Sequence, residues 1–172
     1  MRTATLARVP AAALVPVVYL VAVTPALVRS DLRDHRLPNR IVVPGVVVGL
    51  VAAALQPSVL PVLAALGYAG LLLVLAFAGG VGMGDVKLAA LIGLACPAAG
   101  VGLGAPIAAF LLGGAAASVA LMRHGRRARI AFGPAMLAGY WVALLVWLAL
   151  VPGALSELLS GVLGSGTSGI SP

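Results

Sequence analysis

Gly82-Met83-Gly84-Asp85-Val86-Lys87 is the stretch that decides how this chain is read. Between Arg40 and Arg123 it holds the only charged residues, and long apolar runs lie on either side of it. Asp31, Asp34, Asp85 and Glu157 are the full set of acids in the 172 residues. A carboxylate at the end of an apolar run is costly unless it has a partner or a task. Further out, the composition is 62% hydrophobic and only 9% charged, against roughly 25% charged in soluble domains. Polar groups this scarce cannot cover a globular surface. The sequence therefore predicts an integral membrane protein, all-α, with one domain at this length.

A spanning helix needs about 20 apolar residues. Pro10 to Val28 supplies the first, and a polar stretch with Arg29, Arg33, Arg36 and Arg40 follows it. Ile41 to Ala78 is about twice the length of one span, and Gln56-Pro57-Ser58 divides it into a helical hairpin. Gly79 to Lys87 reads as the second polar loop. Leu88 to Met122 is again too long for one span, and Cys96-Pro97 with Gly100, Gly102 and Gly104 breaks it into two short helices. Gly133 to Val151 is the last span, with Tyr140, Trp141 and Trp147 as expected interfacial anchors.

Six spans put the loops at 29–40, 79–87 and 123–129 on one face. They hold nine of the eleven basic residues, and only Arg2 and Arg8 lie across the membrane. The positive-inside rule makes that face cytoplasmic. A cleaved signal peptide would need a shorter apolar stretch than Pro10 to Val28, without four arginines close behind it, so the first span is expected to stay. Residues 1–152 read as the transmembrane domain and 153–172 as a short interfacial or disordered tail. Cys96 is the single cysteine, which excludes an internal disulfide and a cysteine-based zinc site. The basic residues sit in membrane-flanking loops, which suits the lipid bilayer and its headgroups and not nucleic acid.

This topology brings Asp85 to the same face as Asp31 and Asp34. Two carboxylates held close share a proton near neutrality. The charged one can take a proton from water and the neutral one can donate to a carbonyl oxygen. Gly82 and Gly84 would let backbone, and an extended substrate, come close to Asp85. A plainer reading also fits the tetrapeptide: a glycine-rich turn in which Asp85 caps the next helix.

Three segments together carry a resemblance. Gly82-Met83-Gly84-Asp85-Val86-Lys87-Leu88 resembles the GxGD motif of the type IV prepilin peptidases. Ser30-Asp31-Leu32-Arg33-Asp34-His35-Arg36-Leu37-Pro38-Asn39 resembles the other signature of that family. Ile130-Ala131-Phe132-Gly133-Pro134 is similar to its late PFGP segment, with Ala131 in place of the first proline. The resemblance implies a polytopic GxGD aspartic endopeptidase of about six transmembrane helices in the cell membrane. It would remove the short basic leader of a prepilin or pseudopilin at the cytoplasmic face. It makes Asp31 and Asp85 the catalytic pair, with Gly82, Gly84, Lys87, Pro38 and Asn39 in supporting positions. Asp34 falls at a variable position and reads as solvated. No metal or organic cofactor is implied, although His35 beside Asp31 and Asp34 is a thinner alternative. Longer members carry paired Cys-x-x-Cys motifs associated with methylating the new N-terminus. With one cysteine, this chain resembles the short peptidase-only type that serves Tad/Flp or archaeal-type pilins. Two other readings are a small proton- or ion-coupled transporter, whose acids belong nearer mid-span, and a non-catalytic pilus-assembly scaffold, in which the paired acids would have no use.

Overall fold

A computed structural model describes residues 11–79, 81–124 and 131–156. The described residues form six helices: α1 (Ala11–Asp34), α2 (Asn39–Ala54), α3 (Leu60–Phe77), α4 (Met83–Leu94), α5 (Ala99–His124) and α6 (Gly133–Leu150). α1, α3, α5 and α6 are long and apolar enough to cross a membrane, and α2 is a shorter apolar helix of 16 residues. The protein is an all-helical, multi-pass membrane protein.

The breaks follow local chemistry. α1 stops at His35, whose φ of 48° is left-handed, and Leu37-Pro38 then runs extended into α2. A non-glycine residue in that region costs about 1–2 kcal/mol, so packing must hold this corner. α2 ends before Gln56-Pro57-Ser58, where the Ser58 hydroxyl accepts the Leu60 N–H at 3.2 Å and starts α3. Gly79, at a φ of 78°, ends α3. Cys96-Pro97 separates α4 from α5.

Two sequence expectations are corrected here. The region 88–122 does break into two helices at Cys96-Pro97, but only α4, with 12 residues, is short, and α5 has 26. Gly100, Gly102 and Gly104 lie inside α5, where apolar surroundings tolerate glycine in a helix. Gly104 meets Ala143 of α6, and Gly102 meets Ala64 of α3. Tyr140 is not an interfacial anchor either. It is fully buried, and its hydroxyl donates to the Ala95 carbonyl oxygen at 2.8 Å. Trp141 and Trp147 are half-buried, and the Trp141 indole N–H reaches the Thr24 hydroxyl at 3.3 Å.

α4 is the centre of the bundle. It lies along α3 and also touches α1, α2 and α6. Leu88, Ala89, Leu91, Ile92, Gly93 and Leu94 are all buried, as expected of a helix apolar on every side. Glycines allow the close approach. A Cβ at Gly93 would overlap the Ala65 backbone of α3, and one at Gly49 would lie 2.8 Å from the Leu94 Cβ. Gly45 and Gly49 therefore use their small-xxx-small spacing for packing against α1 and α4. The C-terminal helical turn begins at Ala154, which is buried. The expected tail, from Glu157 onward, lies outside the described residues, as do Arg2, Arg8, Arg126, Arg127, Arg129 and Ile130.

Candidate active site

Asp31 belongs to α1 and not to a loop. The helix runs on past its apolar part, and Asp31 continues its buried stripe of Ala13, Pro16, Leu20 and Leu27. The spacing of that stripe turns Asp31 inward, with 5% of its surface exposed. Asp34 is one turn further on, at the exposed C-terminus of the helix.

Asp85 sits in the first turn of α4, ahead of the apolar run that starts at Leu88. Its carboxylate turns back and accepts the Gly82 N–H at 3.3 Å. This is half of a capping box, since glycine at the N-cap has no side chain for the other half. The plain capping reading of Asp85 thus holds, and it does not exhaust the residue. Asp31 and Asp85 both line one cavity of about 340 Å³, together with His35, Arg36, Leu37, Asn39, Gly82, Met83, Gly84 and Lys87. Burial pushes the Asp85 carboxyl up to about 6, the nearby Asp31 carboxylate pushes the same way, and the Gly82 N–H partly opposes both. Asp34 does not line this cavity.

The supporting residues have distinct places. Pro38 is the N-cap of α2, in extended backbone, and its carbonyl oxygen accepts the N–H groups of Ile41 and Val42. Asn39 opens α2, and its side-chain oxygen accepts a hydrogen bond from Lys87 Nζ at 3.0 Å. Lys87 is thus tied to the other signature segment, 48 residues away. Gly84 packs on that segment too, because a Cβ there would lie 3.3 Å from the Leu37 Cβ. Gly82 has an ordinary φ of −82°, and a Cβ would meet Asp85 Oδ2 at 3.6 Å, an ordinary contact. Neither backbone conformation nor packing demands glycine at 82, which leaves the open cavity side as the place where its missing side chain matters. His35 lines the cavity, yet among the described residues no three His, Cys, Asp or Glu side chains gather as for a metal ion.

One participant carries no role in the sequence reading. The buried Gly133 N–H, at the first residue of α6, donates to Asp31 Oδ2 at 3.0 Å. The glycine is required by closeness, since a Cβ would lie 2.7 Å from that same oxygen. The similarity of residues 130–134 to a family signature flags the segment, but nothing in the sequence pairs residue 133 with residue 31.

No curated protein and no solved structure matches the chain. Residues 17–122 match the family model described as the type IV leader peptidase family. That match covers more than half of the 172 residues and takes in both signature segments that line the cavity, from Ser30 to Asn39 and from Gly82 to Leu88. The chain belongs to the type IV leader peptidase family.

Proposed function

We propose that the protein is an aspartic endopeptidase that removes the leader from prepilin-like precursors at the cytoplasmic membrane face. The observation that carries this reading is the meeting of two carboxylates, from α1 and α4, on one cavity at one end of the bundle. Family membership supports the substrate class. The concentration of basic residues in the loops on that side supports the cytoplasmic orientation.

The chemistry needs one proton shared by the pair. One carboxylate takes a proton from water as the water oxygen bonds to the scissile carbonyl carbon. The other gives its proton to the carbonyl oxygen as the C=O π bond opens. The tetrahedral gem-diol then collapses. Its C–N bond breaks, the nitrogen receives the proton first taken from water, and one hydroxyl returns a proton to the second carboxylate. No covalent intermediate forms. The substrate helix would lie against the bundle with its leader extended into the cavity.

Cleavage of a co-expressed pilin precursor, read by gel shift, tests this. Asp31→Asn and Asp85→Asn keep shape and remove the shared proton, and each is expected to lower processing by about 10³-fold or more. Asp34→Asn is expected to process normally. Loss of processing in Asp34→Asn and Asp85→Asn, with Asp31→Asn active, would move the pair to Asp34 and Asp85. A native chain present in the membrane that cuts no precursor would sink the endopeptidase reading.

A further inference from the structure

The two carboxylates are held differently. Asp31 accepts a buried N–H at 3.0 Å from Gly133, at the N-terminus of the 18-residue α6. Asp85 accepts an exposed N–H at 3.3 Å from Gly82, at the N-terminus of the 12-residue α4. Both helix termini favour negative charge. The shorter, buried bond is the stronger of the two, because a charge-assisted hydrogen bond gains strength where water does not compete. In α6 the next residue is Pro134, which has no N–H, so the Gly133 N–H is the donor that the start of α6 presents to Asp31. The other titratable or cationic groups on the cavity are His35, Arg36 and Lys87, and the buried Tyr68 of α3 lies near enough to Asp85 to feel its charge. Lys87 is engaged with Asn39, and Arg40 of α2 does not line the cavity.

We propose that Gly133 is a positioning residue that keeps Asp31 as the ionised, water-activating member of the pair and leaves the shared proton on Asp85. Asp31 Oδ2 is held by α6, and Oδ1 is the oxygen that takes the proton from water. Asp85 protonates the carbonyl oxygen and recovers its proton from the gem-diol. Asp31 delivers its proton to the departing nitrogen. The assignment rests on the endopeptidase reading above, and it goes beyond that reading by separating the roles of two chemically identical groups.

The test uses the full chain in lipid nanodiscs and a synthetic precursor peptide carrying leader and scissile bond. kcat and KM are measured across pH for the native chain and Gly133→Ala. The added methyl pushes Asp31 off its donor, which weakens the ionised form. The expected result is a kcat about 10- to 100-fold lower, a nearly unchanged KM, and an acidic limb moved up by about one pH unit. A kcat and acidic limb equal to the native ones would overturn the proposal. Infrared titration of the carboxylic-acid C=O stretch gives a second readout that needs no turnover. In Asp31→Asn the band should persist and titrate at lower pH than in the native chain, because the like charge is gone. In Asp85→Asn it should already be gone at a pH where it still persists in Asp31→Asn. The opposite pattern, with the band lost in Asp31→Asn and kept in Asp85→Asn, refutes the assignment. If Gly133→Ala does not fold, the infrared comparison decides alone. If the native chain cuts nothing, the endopeptidase reading falls and the infrared result still locates the proton.

Discussion

Asp85 caps its own helix and faces a carboxylate from another, and these two contacts pull its proton in opposite directions. Burial and the Asp31 charge win, which leaves the group titrating at about 6 in place of the usual carboxylate range. The sign is definite. A residue that must donate a proton works below its pKa and fails above it, so kcat/KM for precursor cleavage should fall about tenfold per pH unit well above 6. Asp85→Glu keeps the charge, lengthens the side chain and disturbs the turn to Gly82. It should lose at least 10-fold in kcat in the same assay. The choice of Asp31 over Asp34 came from the resemblance, in which Asp34 falls at a variable position, and the helical register became visible only in the structure. Leu20, Leu27 and Asp31 fall on one buried helical stripe and Asp34 lies past its end. The contact with Gly133 was not legible, because 102 residues separate the partners and a backbone N–H leaves no mark in a side-chain pattern.

At the scale of helices, hydropathy located all six elements but mistook where α1 stops. Arg29 to Asp34 reads as loop because it is polar, yet its backbone stays helical until the left-handed His35. Hydropathy marks where lipid ends, while the helix ends where its hydrogen bonding ends. The same confusion, in reverse, made helix breakers of three glycines that are seam residues of α5. α4 carries Asp85 and has no slack, since a Cβ at Gly93 would overlap the Ala65 backbone. Gly93→Val should force α3 and α4 apart, destabilise the bundle by about 1–3 kcal/mol or more, and abolish processing by moving Asp85. Thermal unfolding in detergent and the gel-shift assay together check this. The hydrogen bond between Lys87 and Asn39 joins α4 to α2 across the mouth of the cavity. Lys87→Met and Asn39→Ala should each lower kcat/KM about 10-fold, and the double variant should cost about as much as either one. Additive losses would mean that the two residues act separately.

For the molecule as a whole, the charge distribution predicts which end of the bundle meets the cytoplasm. Asp34 and Ser58 are exposed in the chain before and after α2, and Cys96 is buried. A membrane-impermeant maleimide should therefore label Ser58→Cys in intact cells and Asp34→Cys only after the membrane is opened. The reverse pattern would place the cavity outside. The bundle also fixes an order in time. A chain is made from its N-terminus, and Asp31 enters the membrane early, with α1. Its donor, Gly133, belongs to the last of the six helices. A chain made as far as His124 already holds both aspartates and still lacks the N–H that fixes one of them. Insertion of α6 is thus the step that gives Asp31 its donor, and on the proposed assignment a chain still attached to the ribosome by an uninserted α6 has no finished centre.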